Sequence, residues 1–217
     1  MLEIRYVYEW PVRITHWVNV LSVVMLSITG FYIGSPFMTA PESTQYIMGW
    51  MRFLHFSFAY LFTVSVLARI VWMFLGNHHA SWKVFFPWTT AEGRHSFVKM
   101  FRYYTFTGKQ ISYEVGHNPV AAMAYLGIFC LFLFQIASGF ALYGQFAPGG
   151  FWNSLTNWLL TLVGSQWLRL GHHGVMWLLI GFFINHIYSA WLMDVKERNG
   201  TISGIFSGYK YIEPKDL

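Results

Sequence analysis

Charge is what this sequence has least of. Only 11% of its 217 residues are Asp, Glu, Lys or Arg, against roughly 25% in soluble domains. With 55% hydrophobic residues and a mean hydropathy of +0.41, that scarcity excludes an ordinary soluble fold and points to an integral membrane protein in a single domain. Cysteine is nearly absent too. Cys130 stands alone inside an apolar run, which excludes a disulfide framework, CxxC zinc sites and CxxCH cofactor attachment, and leaves a buried small hydrophobe. No small-residue cleavage site follows the first apolar run, and MLEIRYVYEWPVRITHW is too charged and aromatic for a cleaved signal, so the start reads as a cytoplasmic lead-in. The net charge of +5 reads as membrane topology, with no nucleic-acid partner implied.

Long apolar runs are abundant by contrast. Four are long enough to cross a bilayer, at about 12–33, 49–75, 119–143 and 167–193. The third, Pro119 to Tyr143, holds no charged residue, and its proline sits at a tolerated first-turn position. Between the second and third lies the most polar part, Gly76 to Gly116, with a short surface helix expected over Thr90 to Phe106. With four spans and both termini in the cytoplasm, Arg5, Arg13, the loop residues Lys83, Arg94, Lys99, Arg102 and Lys109, and the tail residues Lys196, Arg198, Lys210 and Lys215 share one side. A fifth span would export the basic tail against the positive-inside bias, so the apolar segment Asn153 to Val163 is expected to lie in the outer interface. The aromatic share, 21%, suits interfacial anchoring or packing around a flat cofactor. Neither a soluble domain nor an internal repeat is evident.

The fourth run, GHHGVMWLLIGFFINHIY from Gly171 to Tyr188, carries histidines near both ends and no other ionisable side chain except its tyrosine. Ionisable groups inside a span are functional candidates by default. His172 and His186 are 14 positions apart, about 40° short of four full turns, so they share a helix face, with roughly 21 Å between them along the axis. His173 falls on nearly the opposite face from His186. Because spans alternate in direction, His55 lies at the outer depth of His172, and His16 at the inner depth of His186. Two bis-histidine haem sites stacked in a four-helix bundle need this arrangement. A single zinc ion cannot span pairs about 20 Å apart, and no Asp, Glu or Cys completes either pair. The expected fold is therefore an all-α integral membrane bundle of four transmembrane helices enclosing two b-type haems.

Other residues fit that arrangement. Gly30 lies 14 positions after His16, where a missing side chain makes room for the outer haem. Arg69 lies 14 after His55, facing inward at inner depth, and is a candidate partner for a haem propionate. For Arg52 and Arg169 two readings stand, propionate pairing and interfacial snorkelling. Gly127, Gly139 and Gly181 read equally as helix-packing glycines. His78, His79 and His95 read as solvated loop residues.

The motifs YEWPVRITHW, RFLHFSFAY, GHNPVA, SGFALY and HHGVMWLLIGFFINHIY, in this order, resemble the cytochrome b subunit of membrane-bound nickel-iron hydrogenases. The resemblance runs from about Tyr8 to Tyr209. The wider group, with the membrane subunits of respiratory formate dehydrogenase and thiosulfate reductase, is similar in helix order and histidine placement. The resemblance implies axial ligation of two haem b irons by His55 with His172 and by His16 with His186, in agreement with the depths argued above. It further implies a multi-pass protein of the bacterial inner membrane. Such a protein has the iron–sulfur and nickel-iron hydrogenase subunits on its periplasmic side and membrane lipid around it. Its role is to pass electrons to a quinone near the cytoplasmic face, with no catalytic residue for hydrogen chemistry of its own. A quinone pocket needs one or two polar groups beside the inner haem. His117 and Asn118 of the GHNP motif are at that depth, although Asn118 also reads as a helix cap before Pro119. The alternatives are a membrane cytochrome b subunit of another quinone-linked oxidoreductase, of the formate dehydrogenase or thiosulfate reductase type, a stand-alone di-haem cytochrome b acting on superoxide or another small acceptor, and a purely structural anchor.

Overall fold

Helices begin and end in this chain where glycine and proline allow it. The computed structural model describes residues 3–38, 46–89, 91–104, 107, 119–197 and 200–212. His117 and Asn118, and the basic residues Lys109, Arg198 and Lys215, lie outside the described residues. After a short strand, β1 (Glu3–Tyr6), come α1 (Trp10–Gly34) and α2 (Ile47–Leu75). Pro11 sits in the first turn of α1, where an amide hydrogen has no intrahelical partner to lose. A one-turn α3 (Trp82–Phe85), a 3-10 turn (Pro87–Thr89) and α4 (Ala91–Tyr104) follow. Next are α5 (Pro119–Gly144), α6 (Phe151–Val163), α7 (Ser165–Glu197), α8 (Thr201–Ser207) and β2 (Tyr209–Ile212). Among the described residues four helices are long and apolar enough to cross a membrane: Trp10–Gly34, Ile47–Leu75, Ala122–Gly144 and Ser165–Lys196. The surface helix expected over 90–106 is α4, and the segment expected at 153–163 is α6. Only Gly164, with φ +83°, separates α6 from α7. An L side chain there would be strained, so glycine suits this one-residue junction.

The two strands pair antiparallel, with Ile4 opposite Tyr211 and Tyr6 opposite Tyr209. This ribbon is not anticipated by the sequence reading of the start as a simple lead-in. Each strand is four residues long, too short for a clear alternation, and the pairing joins opposite ends of the chain.

The chain divides into two compact units. One comprises residues 1–13, 70–131 and 179–217. In it the Gly208 carbonyl accepts from the amides of Val7 (2.8 Å) and Tyr8 (3.1 Å), clasping the end of α8 to the strand that follows the start of the chain. The Glu9 carboxylate accepts from Trp72 Nε1 at 2.9 Å and from the Asn77 amide at 2.8 Å, and Asn77 Nδ2 donates to the Val7 carbonyl. His78 and His95 are exposed, but His79 is half-buried, correcting the expectation of a solvated side chain. Burial, His78 and Lys210 hold its pKa below the ordinary value.

The other unit comprises residues 14–69 and 132–178. Its most buried side chains are small, three of them hydroxylated: Val66, Ala141, Ser22, Thr29 and Ser138 are at most 1% exposed. Ser65 Oγ donates to the Thr15 carbonyl, linking α2 to α1. Rings fill the spaces between helices, with Phe140 stacked on Trp152 at 3.8 Å and the Trp152 Nε1 donating to Tyr60. Many large apolar residues face outward: Val64 is 64% exposed and Trp177 60%. In water this inversion would be costly, whereas in lipid it costs nothing, and small residues let helices approach closely. Cys130, expected in the interior, is exposed on the outward face of α5. The run around it is apolar on all sides, so its sequence carries no signal of which face is inside.

Candidate cofactor site

Three of the four candidate intramembrane histidines, His16 on α1, His55 on α2 and His172 on α7, belong to the second unit, and the last two each lie against a buried hydroxyl. A histidine in an apolar bundle needs a partner for its ring N–H. Each of these two has one, on a helix that bears no candidate ligand at that level. Thr29 Oγ1 of α1 lies 2.9 Å from His55 Nδ1, and Ser138 Oγ of α5 lies 2.8 Å from His172 Nδ1. The hydroxyls settle the ring tautomers. Thr29 Oγ1 directs its single hydrogen to the Met25 carbonyl at 2.7 Å, and Ser138 Oγ does the same to the Phe134 carbonyl at 2.6 Å. Each oxygen can then only accept, so each Nδ1 carries the proton and each Nε2 keeps its lone pair. This is the state required of an imidazole that binds metal through Nε2.

The next residue along each supporting helix is glycine, and both glycines lie against the ring. A Cβ on Gly30 would come 3.4 Å from His55 Cε1 and 3.8 Å from Met176 Sδ. A Cβ on Gly139 would come 3.2 Å from His172 Cε1. Gly139 is therefore a clearance for the His172 ring, whereas Gly127 and Gly181 have nothing within 4 Å and do not act as packing glycines among the described residues. The signal that could have found Thr29 and Ser138 is their position: each directly precedes a glycine on the ligand-facing side of its span.

The same helix faces carry buried polar atoms whose bonds are unmade. Among the described residues, Asn19 Oδ1 and Gln135 Oε1 are buried without a hydrogen-bond partner. Asn19 is 11 positions before Gly30, about three turns along nearly the same line, and Gln135 is one turn before Gly139. An unsatisfied buried polar atom costs about 1–3 kcal/mol. A bundle that leaves such atoms beside two glycine clearances and two proton-fixed imidazoles fits a large planar group held by axial histidines.

The remaining candidates fall as follows. His16 is half-buried near the start of α1, its ring edge-on to Trp17 at 5.1 Å. His186 belongs to the other unit, where Phe182, one turn earlier, lies nearly parallel at 5.4 Å and Tyr125 stands edge-on at 6.4 Å. Arg52 is exposed with its guanidinium 5.5 Å from the Phe146 ring centre, Arg69 is half-buried, and Arg169 is exposed. His173 hydrogen-bonds through Nδ1 to the Arg169 carbonyl at 2.9 Å. A carbonyl only accepts, so this Nδ1 is also protonated. The His173 Nε2 lies 3.0 Å from where a Gly34 Cβ would stand, placing this ring at the end of α1.

A family model described as prokaryotic cytochrome b561 matches residues 7–208. Among curated proteins, a probable Ni/Fe-hydrogenase B-type cytochrome subunit of Cupriavidus necator is 41% identical over 214 residues, covering 96% of this chain and 88% of its own. One from Rhodobacter capsulatus is 40% identical, with 94% and 80% covered. A probable Ni/Fe-hydrogenase 1 B-type cytochrome subunit of Escherichia coli is 36% identical, with 95% and 90% covered.

Proposed function

The chain belongs to the prokaryotic cytochrome b561 family, and from that premise we propose that it is the transmembrane electron-transfer subunit of a respiratory uptake nickel-iron hydrogenase. A hydrogenase-linked cytochrome b of the membrane is what its relatives' names and its four apolar helices already support. The finer reading is that it takes electrons from a periplasmic iron–sulfur subunit and delivers them to membrane quinone near the cytoplasmic face of the bacterial inner membrane. Both termini are then cytoplasmic.

Haem b supplies one-electron chemistry without proton transfer at the iron. His55 and His172 hold one haem toward the periplasm, and His16 and His186 hold a second toward the cytoplasm. The His55 and His172 rings have their Nδ1 protons committed and their Nε2 lone pairs available. Gly30 and Gly139 keep space beside those rings. Arg52, Arg69 and Arg169 are the propionate partners. At the cytoplasmic end His117 and Asn118 are the candidate hydrogen-bonding groups for quinone. The chain performs no hydrogen chemistry; its residues bind, orient and shield the haems.

The observation that carries this reading is the pair of histidines in one unit, each fixed in the Nε2-available form by a buried hydroxyl. The test is isolation of the native complex in mild detergent, with haem counted by the pyridine haemochrome assay. Two haem b per chain and copurifying hydrogenase subunits are expected. A chain that isolates alone, fully loaded with haem and inactive with hydrogen and quinone, would overturn the hydrogenase reading.

A further inference from the structure

We propose that Thr29–Gly30 and Ser138–Gly139 are matched positioning brackets for one haem, the hydroxyls setting the orientation and electron donation of its two axial imidazoles. The proposal rests on the reading that His55 and His172 are the ligands of a common haem. In both brackets the hydroxyl meets Nδ1, at 2.9 and 2.8 Å, and the following glycine lies against the ring carbon Cε1, where a Cβ would make an ordinary 3.4 Å contact at Gly30 and a tight 3.2 Å one at Gly139. Both are on helices that supply no ligand at this level: α1 supports the ligand of α2, and α5 supports the ligand of α7.

A buried serine or threonine in a membrane helix ordinarily satisfies itself by donating to the carbonyl one turn back. Thr29 and Ser138 do so, and this commitment has a consequence for the neighbour. With its hydrogen spent, each oxygen presents only lone pairs, and a ring N–H is the donor that fits. Without that acceptor the Nδ1 proton of His172 would be buried unsatisfied and the ring free to turn about its χ2, whereas His55, which also has the Leu26 carbonyl as a hydrogen-bond partner, would lose one of two acceptors. Hydrogen bonding from Nδ1 also raises the basicity of the imidazole, which favours the more highly charged ferric iron and lowers the reduction potential. A neutral hydroxyl does this less strongly than a carboxylate, so the potential is lowered without forcing the ring to an imidazolate.

The test uses the purified complex, with haem counted by pyridine haemochrome and each haem's midpoint potential measured by optical redox titration. Thr29→Val and Ser138→Ala remove the acceptor, while Thr29→Ser and Ser138→Thr keep it. The expected result is a raised midpoint for one haem only in Thr29→Val and Ser138→Ala, with both midpoints at wild-type values in Thr29→Ser and Ser138→Thr. Should Thr29→Val lose that haem, its retention in Thr29→Ser supports the bracket, and its loss in both shows that volume, not the hydroxyl, matters. Unchanged midpoints in both Thr29→Val and Ser138→Ala would overturn the proposal while leaving the haem reading intact. A wild-type chain without haem would remove both, and the haem count distinguishes the two failures.

Discussion

Substituting Gly139 with alanine is a one-carbon perturbation whose consequence can be worked from the structure. The new Cβ would stand 3.2 Å from His172 Cε1, whereas carbon atoms rest at about 3.5–4.0 Å. Something must give by roughly 0.3 Å or more. The ring cannot turn aside freely, because its Nδ1 is tied to Ser138 Oγ at 2.8 Å on the adjacent residue of the same helix. Overpacking of this kind costs about 1–3 kcal/mol, while replacing a helical glycine by alanine returns up to about 1 kcal/mol. The net is a loss of about 0–2 kcal/mol, concentrated on one ligand of one haem. Each kilocalorie is a five-fold factor in an equilibrium, so haem retention should fall by a factor of up to about thirty. Gly30→Ala meets His55 Cε1 at 3.4 Å, an ordinary contact, and should retain more haem; Gly127→Ala and Gly181→Ala meet nothing and should retain all of it. The assay is the haem-to-protein ratio of each variant after graded thermal challenge in detergent. Equal haem loss from Gly127→Ala and Gly139→Ala would refute the role given to Gly139.

His55→Ala and His172→Ala should each lower the haem count by one and abolish hydrogen-dependent quinone reduction, while His173→Ala keeps both haems; loss of a haem from the last would move the ligand assignment. Glu9→Ala leaves the Trp72 indole N–H and the Asn77 amide without their acceptor, which should cost about 1–3 kcal/mol for each left buried. A lowered melting temperature measured in detergent is the readout, with Glu9→Gln, which keeps a carbonyl oxygen, expected to be milder. The half-buried His79 is held below its ordinary pKa of 6.5, so the unfolded chain takes up this proton first as the pH falls. Stability from the neutral ring is fully present above 6.5 and declines as pH falls toward the folded value. His79→Gln should therefore flatten the melting temperature between pH 7 and pH 5.

The long helices are legible because each is a run of apolar residues bounded by glycine, proline or charge, and lipid demands nothing more of its outward face. Gly164 and Pro119 mark boundaries that the backbone needs. What is illegible follows from the same composition. In soluble helices an apolar stripe reveals the inner face, but α5 and α7 are apolar all round, so nothing in the sequence distinguished the lipid-facing Cys130 from the buried Phe140. The β-ribbon fails for a different reason: its pairing of Tyr6 with Tyr209 depends on a contact between chain ends, which local periodicity does not encode.

The candidate site divides along a similar line. Histidine is rare in spans and costly there unless engaged, so His55 and His172 announce themselves, and their helical spacing assigns a face. Serine and threonine are common in spans because they satisfy themselves on their own backbone. Thr29 and Ser138 consequently look like any other packing residue until a histidine from another helix is found against them. Their glycine neighbours shift the balance: a hydroxyl followed by glycine provides an acceptor and clearance within one turn, which a large adjacent side chain would fill. The third long helix, which offers no intramembrane histidine, thereby acquires a definite task at the level of His172: it holds the ring of a proposed ligand that it does not supply.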